Sequence, residues 1–325
     1  MAHSGVPSTR TWLRSPRFDA WLQLGALAGV APALVLYAAW GARASSLVPL
    51  ASLIAIPFLH VFGSFFFAFS TERNASASTP RALAMTWALW GAAVLALSAW
   101  APRALATFAL VYGGWHIARQ NFGFLRELAQ RDGLAGDRVL RRLDLAVCLQ
   151  PAIALWLLIA WRGPWRFWTA DVYHPSVPAW LVALAFAAVP ATVIARERRL
   201  GARRGSSAAG LLLVAGNFAA LLGPALVLDE LTIIYTLSAS FHGVQYLAYL
   251  AERERERRPF EQPTAVLVPL ASAIALSMAA WATALALAGW LFSPARAGQL
   301  LLAAWYAIVP FHYFVDGRIW RARRR

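Results

Sequence analysis

Long runs of apolar side chains alternate with short polar segments along nearly the whole chain. Each run has about the length that an α-helix needs to cross a lipid bilayer, roughly 20 residues at about 1.5 Å of rise per residue. We predict ten spanning helices, at residues 20–40, 47–70, 82–100, 103–125, 144–161, 178–195, 207–228, 230–250, 264–291 and 297–315. The pattern therefore predicts an all-α fold, a polytopic integral-membrane helix bundle.

The same pattern predicts the domain organisation. A polar cytoplasmic N-terminal tail is expected at residues 1–19, a single transmembrane helical domain at 20–315 and a basic cytoplasmic C-terminal tail at 316–325. The first apolar run is longer than the hydrophobic core of a typical signal peptide, so we expect an uncleaved first helix.

The arginines indicate how the helices are oriented. All 30 basic residues are arginine, and the charged fraction of 14% is far below the roughly 25% of soluble domains. With a cytoplasmic N-terminus, 24 arginines fall in cytoplasmic segments, five fall outside and Arg119 lies within a helix. This asymmetry follows the positive-inside rule, so both termini are expected in the cytoplasm, and the net charge of +15 indicates topology rather than nucleic-acid binding. The exclusive use of arginine and the abundance of alanine suit a GC-rich bacterial genome, which predicts a multi-pass protein of the bacterial cytoplasmic (inner) membrane.

The segments between the helices carry expectations of their own. The outer loop at residues 162–178 holds four aromatic residues that suit an interfacial belt, namely Trp165, Phe167, Trp168 and Tyr173. The charged connectors at 126–142 and 251–263 are expected to be cytoplasmic and either solvated or in contact with lipid headgroups. The single cysteine, Cys148, excludes an intrachain disulfide and is expected to be a small core residue.

Histidines in four predicted helices form the clearest candidate site. They lie in the second, fourth, eighth and tenth spans, which are all predicted to run from outside to inside: His60, His116, His242 and His312. They fall 13, 13, 12 and 15 residues after the proposed helix starts, which places them in one layer about 18–23 Å from the outer boundary. Ionisable groups at such depth are costly and usually functional. His3 in the tail and His174 in the outer loop are not part of this layer.

Each of these histidines has a polar residue one turn closer to the cytoplasm, on the same face of its helix. The pairs are His60 with Ser64, His116 with Gln120, His242 with Tyr246, and His312 with Asp316. Arg119 and Gln245 add a second polar residue at the i+3 position. This clustering is expected where several helix faces converge on one polar centre.

A shared metal site is the main interpretation of the histidine layer. Four imidazoles suit iron, copper or zinc, and non-haem iron with positions open to dioxygen is the favoured cofactor. Gln120, Gln245, Asp316 and Tyr246 are then candidates for orienting the imidazole rings around the cofactor. Alternatives are haem b held axially by the same histidines, another transition metal, scattered structural hydrogen bonds, and a proton or ion pathway.

In their order, these motifs resemble those of the bacteriorhodopsin-related-protein-like (Brp/Blh) family of membrane β-carotene dioxygenases. IPFLHVFG carries His60, GGWHIARQNFG carries His116, SFHGVQY carries His242 and FHYFVDGRIW carries His312. The resemblance implies a bundle of apolar helices whose histidines hold one iron. The chain departs from the family where Tyr246 replaces a paired histidine, and where Arg119, Gln120 and Asn121 stand in place of acidic residues.

These observations predict an integral-membrane, metal-dependent oxygenase or related oxidoreductase. Its substrate would be a lipid-soluble molecule, such as an isoprenoid or an acyl chain, that reaches the site from the bilayer. Tyr246 and Arg119 are the candidate catalytic residues. Arg119 would pair with an anionic substrate headgroup, or would extend to lipid phosphate without a catalytic role. The alternatives are a haem-binding electron-transfer or sensor protein and an ion or small-molecule transporter.

Two further features concern helix packing. Gly113 and Gly114 are expected to allow close approach of another helix. Asn217, in the middle of the seventh predicted helix, is expected to form an interhelical hydrogen bond.

Overall fold

The structure is a computed structural model that describes residues 15–20, 22, 35, 37–39, 60–61, 64, 79–167, 170–203 and 208–257, together with separate positions within 268–291 and 303–316. Its helices are α1 (Pro16–Ala20), α2 (Thr79–Trp100), α3 (Pro102–Arg131), α4 (Arg138–Arg162), α5 (Ala179–Ala202), α6 (Ala208–Val227) and α7 (Leu231–Arg257). The chain is nearly all α-helical in this part, as the apolar pattern predicts.

The helices α2 to α7 correspond to six of the predicted spans. Several extend beyond the apolar run into charged sequence, and α3 ends at Arg131 and α7 at Arg257. Hydropathy marks only the apolar part of a helix, whereas arginine and glutamate continue a helix readily. The predicted spans at 20–40, 47–70 and 264–291 lie mostly outside the described residues. The span at 297–315 is described at 303, 305–309 and 311–315, which are helical.

Within the described part of the chain, three helices are long and apolar enough to cross a membrane, namely α4, α5 and α6. The surface agrees with a membrane protein, because large apolar side chains such as Leu89 on α2 and Leu184 on α5 are exposed, at 68% and 57%. Apolar side chains on an outer surface are stable where lipid replaces water.

Local sequence explains the tight connection between α3 and α4. The amide of Leu134 donates to the carbonyl of Ala129, and Gly133 takes the left-handed backbone, with φ of 72°, that this helix ending requires. The next helix, α4, is capped at its N-terminus by Asp137, whose carboxylate accepts a hydrogen bond from the amide of Leu140 at 3.0 Å. The chain therefore reverses within a few residues, and α3 and α4 form an antiparallel pair.

Side-chain contacts give the relative directions of the long helices. Along α4 and α5 the partners run in opposite order, since Gln150 meets Thr192 and Asp144 meets Arg196. Along α3 and α7 they run in the same order, because Gly113 lies against Tyr235, His116 against His242, and Glu127 against Tyr249. The parallel direction predicted for the histidine helices α3 and α7 is therefore confirmed.

The outer loop differs from its predicted role. It forms a two-stranded antiparallel ribbon, β1 (Arg166–Phe167) and β2 (Ala170–Asp171). Phe167 is fully buried, and the Trp165 indole donates to the carbonyl of Ile159 at 2.7 Å. The prediction of an aromatic belt is wrong for these two residues, because the ribbon turns them into the core, and Trp168 lies outside the described residues. Tyr173 is exposed, with the guanidinium of Arg103 4.4 Å from its ring centroid.

Buried ion pairs join α3, α4 and α5 at one end. The Asp144 carboxylate is fully buried and contacts Arg126 at 3.2 Å and Arg196 at 2.8 Å. The expectation of a solvated connector is therefore wrong at Arg126, whose side chain is only 14% exposed. Cys148, one turn further along α4, is buried and free, as predicted.

Candidate functional site

The structure brings the four predicted histidines into one buried cluster. His60, His116, His242 and His312 are 0% to 5% exposed, and their neighbouring ring centroids are 4.8–5.1 Å apart. The cluster is built by α3, α7 and the helical residues 60–61 and 311–316. The four rings therefore converge as the sequence predicts, and their depth in a bilayer stays a prediction.

The Nε2 atoms of the four imidazoles face each other in two pairs. The Nε2 atoms of His60 and His312 are 3.0 Å apart, and those of His116 and His242 are 3.1 Å apart. Without an ion, each pair can share one proton between two neutral imidazoles of opposite tautomer. Two nitrogens that bind one ion at right angles, each about 2.1–2.2 Å away, are also about 3.0–3.1 Å apart. The observed separation therefore fits both a hydrogen bond and adjacent ligands of one metal.

The ring nitrogens fall into two overlapping compact groups. Ring nitrogens of His60, His116 and His242 lie within 4.8 Å of one another. A second group, formed by His116, His312 and a carboxylate oxygen of Asp316, meets the same limit. His116 belongs to both groups.

Tyr246 and Asp316, predicted one turn below the histidines, contact each other. The Tyr246 hydroxyl donates to Oδ1 of Asp316 at 2.8 Å, and both side chains are buried. Oδ2 of Asp316 lies 3.5 Å from Nε2 of His116. Asp316 thus reaches across from its own segment to a histidine on α3, which its position after His312 does not indicate.

Of the remaining predicted residues, two glutamines are buried and one arginine is exposed. Gln120 is 2% exposed, and neither polar atom of its side chain has a hydrogen-bond partner among the described residues. Gln245 on α7 is also fully buried. Arg119 is exposed, with its guanidinium 5.0 Å from the ring centroid of Phe122 and 5.9 Å from that of Trp115. The structure therefore places Arg119 on the outer surface of α3 and not with the histidines.

Two serines near the histidines bond to helix backbone. Ser64 donates to the carbonyl of His60 at 2.9 Å, which is a bond within its own helix. Ser238 donates to the carbonyls of Ala220 and Ile234. Asn217 accepts from the Asn121 amide at 2.9 Å, so the predicted interhelical bond is confirmed between α3 and α6.

Two tyrosines at the site were not anticipated. The ring of Tyr313 stacks on His116 with centroids 3.9 Å apart and an interplanar angle of 17°. Its hydroxyl lies 3.1 Å from that of Tyr235. Tyr235 lies seven residues before His242, two turns along the same face of α7, and that spacing is the one sequence feature that indicates its position.

A small apolar cavity lies beside this tyrosine pair. It is bounded by α3, α4, α6 and α7, has a volume of about 20 Å³, and is lined by Tyr235 and by aliphatic side chains that include Ile117, Leu155 and Leu221. Its size is far below the roughly 300–1,000 Å³ of sites for organic ligands. A molecule of two or three atoms fits such a space, whereas an isoprenoid does not.

No protein-family model, curated protein or solved structure matches this chain.

Proposed function

We propose that the protein is a multi-pass membrane oxidoreductase whose four buried histidines hold one transition-metal ion, with non-haem iron as the metal and dioxygen as a co-substrate. The observation that supports this most directly is the pair of Nε2 separations, 3.0 and 3.1 Å, among four imidazoles from separate parts of the chain. These are the separations of adjacent ligands around one ion. The bound ion would supply the redox chemistry, while the protein holds the ion, excludes water and positions the substrate.

The packing of the rings favours a single ion over haem. Haem held by two histidines requires a flat macrocycle between the two imidazoles. Here, each imidazole of one pair lies about as close to a ring of the other pair, at centroid distances of 5.0–5.1 Å. That spacing leaves no room for a macrocycle. Zinc is a poorer choice than iron, because four histidines complete its usual coordination and leave no position for a reactant.

The surroundings support an apolar reaction. The core beside the histidines is formed by tyrosine, tryptophan and aliphatic side chains, and the cavity next to Tyr235 admits a small apolar molecule such as dioxygen. The exposed apolar surfaces of α2 and α5 suit a lipid environment, from which a lipid-soluble substrate such as an isoprenoid or acyl chain would enter. Arg119, on the outer face of α3, suits contact with an anionic headgroup of lipid or substrate.

The proposal includes the predicted topology. The chain would cross the bacterial inner membrane ten times, with both termini in the cytoplasm. The buried ion pairs around Asp144 and the arginine-rich ends of α5 and α7 would lie at the cytoplasmic end. The ribbon that contains Phe167 would cover the opposite end of the bundle.

Metal analysis of the purified full-length protein tests this proposal. After iron supplementation, wild type should contain about one iron per chain and no Soret band, because one compact donor set binds one ion. His116→Asn and His242→Asn should lose most of the iron. His174→Asn is the matched control, because His174 lies in the outer loop against Gly163 and should leave the iron content unchanged.

The same measurement distinguishes the alternatives. Wild type that folds and yet binds no transition metal would contradict the proposal. The histidines would then form two hydrogen-bonded pairs with a structural or proton-conducting role. A Soret band that disappears in His116→Asn would instead establish haem binding. Iron that is retained in both cluster variants would place the metal elsewhere.

A further inference from the structure

Asp316 contacts His116 at the ring nitrogen that also faces His242. Carboxylates that only orient a ligating histidine accept a hydrogen bond from its second ring nitrogen, the one that faces away from the metal. Oδ2 of Asp316 instead lies 3.5 Å from Nε2 of His116, the same atom that lies 3.1 Å from Nε2 of His242. The carboxylate therefore faces the centre of the cluster, as a ligand does.

The distances place this oxygen among the candidate ligands. A carboxylate oxygen of Asp316 and ring nitrogens of His116 and His312 lie within 4.8 Å of one another. Atoms that bind one ion at about 2.1 Å are between about 3 and 4.2 Å apart, depending on whether they are adjacent or opposite. The 4.8 Å limit is slightly wider than this range, so an ion shared by these three atoms would draw them closer together.

Charge and coordination number favour the same assignment. Four neutral imidazoles leave a divalent ion uncompensated in a buried site, and one carboxylate removes half of that charge. Asp316 is itself 2% exposed, and a buried carboxylate is most stable beside a cation. Four nitrogens and one oxygen fill five positions of an octahedron, which leaves one position for a reactant.

Tyr246 determines which oxygen of Asp316 faces the cluster. Its hydroxyl donates to Oδ1 at 2.8 Å, and the buried phenol is held with its ring 6.4 Å from that of His242 at an angle of 13°. One carboxylate oxygen is therefore engaged by Tyr246, while Oδ2 faces His116. This arrangement suits a carboxylate that binds through a single oxygen.

We propose that Asp316 is the fifth protein ligand of the metal, through Oδ2, and that Tyr246 is a positioning residue that holds Oδ1. This inference rests on the proposed function, since it presupposes an ion among the histidines. It predicts a donor set of four histidines and one aspartate, which suits iron or manganese better than zinc or copper(I).

Cobalt(II) is the probe for the experiment, because its visible absorption is intense in four-coordinate sites and weak in five- or six-coordinate sites. The full-length protein in detergent, stripped of metal, is titrated with cobalt(II). Wild type should give the weak spectrum of five or six ligands. Asp316→Asn should bind cobalt(II) about 100-fold more weakly, because a charged ligand is lost. Its spectrum should be more intense, because the ion then has fewer ligands.

Tyr246→Phe separates positioning from packing, since it removes the hydroxyl and keeps the ring. It should weaken cobalt(II) binding by about 10-fold and shift the absorption bands. A role in packing alone would leave the bands where they are in wild type. Asp229→Asn is the matched control, because the Asp229 side chain is 94% exposed and lies against Arg162, away from the cluster.

The outcomes separate this inference from the proposed function. Asp316→Asn with the affinity and spectrum of wild type would overturn the assignment of Asp316 while leaving four histidine ligands in place. If that variant does not fold, an intense four-coordinate spectrum in wild type itself would overturn the assignment. Wild type that binds no cobalt(II), or binds it equally well after His116→Asn, would instead overturn the proposed function.

Discussion

The hydroxyl of Tyr235 occupies the space that a side chain on Gly113 would need. A Cβ atom at position 113 would lie 2.6 Å from that oxygen and 2.9 Å from a ring carbon of Tyr235. Gly113 precedes His116 by one turn of α3, and Tyr235 bonds through its hydroxyl to Tyr313, which stacks on His116. The glycine therefore sets the distance between α3 and α7, and through two tyrosines the position of one candidate ligand.

Gly113→Ala should displace Tyr235 and disturb the histidine cluster. We expect a loss of about 1–3 kcal/mol in the free energy of unfolding, as for other overpacked cores, together with a lower iron content. The adjacent Gly114 is the matched control. A Cβ at position 114 would meet the Ala152 methyl at an ordinary 3.5 Å, so Gly114→Ala should be tolerated. Equal effects of the two substitutions would contradict the role given to Tyr235.

The hydrogen bond between Asn121 and Asn217 should couple α3 to α6. Hydrogen bonds between membrane helices average about 0.6 kcal/mol and reach about 1.7 kcal/mol. We expect an interaction energy in this range from a double-mutant cycle of Asn121→Ala and Asn217→Ala, measured by unfolding in mixed micelles. The Asn121 amide also donates to the carbonyl of Ile117, so the Asn217→Ala variant keeps one bond to this side chain. Strict additivity of the two single effects would show that the contact contributes nothing.

Sequence reasoning located the candidate ligands but not the contacts between them. Counting residues along apolar runs fixes the depth of a side chain, and the alternation of arginines fixes the direction of its helix. Neither fixes which helices are neighbours or how each is rotated. The contact between Asp316 and His116, and the stacking of Tyr313 on His116, depend on both.

The wrong predictions of side-chain exposure also arise because sequence patterns do not fix how a segment is rotated. Trp165 and Phe167 have the composition of an interfacial belt, and the backbone of the ribbon alone turns them inward. Arg119 follows His116 at a spacing that suits the same face, yet it lies on the exposed side of α3, where its long side chain packs across Phe122.

Asp144 should be the carboxylate whose loss most weakens the contact between α3, α4 and α5. Asp144→Asn would leave Arg126 and Arg196 without the carboxylate that both contact. Loss of one partner from a buried ion pair costs about 3–5 kcal/mol, and we expect the lower end because Glu197 still contacts Arg196. Asp171→Asn is the control, since its pair with Arg166 is about 70% exposed on both sides and should contribute at most about 1 kcal/mol. Similar losses in the two variants would refute this interpretation.

Asp137 should make stability depend on pH in the acidic range. The hydrogen bond from the Leu140 amide, and then Arg199 and Arg203, hold the pKa of this carboxyl below its ordinary value. A lowered folded-state pKa stabilises the protein above the unfolded value of about 3.9, and this stabilisation is lost as pH falls through the folded-state pKa. The difference in melting temperature between wild type and Asp137→Asn should therefore be constant near neutral pH and shrink below about pH 4. Asparagine keeps the helix cap but carries no charge. A difference in melting temperature between wild type and Asp137→Asn that persists at low pH would therefore come from the cap and not from the charge of Asp137.

Metal removal should destabilise the whole bundle, because the proposed site joins α3, α7 and the segments of His60 and His312. An ion that binds only the folded protein adds about 1.4 kcal/mol for each tenfold rise in its free concentration above Kd. The melting temperature of wild type should therefore fall on chelation and rise with the logarithm of added iron(II). The variant with both His116→Asn and His242→Asn should melt at a temperature independent of iron(II). An equal rise in both proteins would indicate nonspecific binding, whereas no rise in wild type would show that the imidazoles bond only to each other.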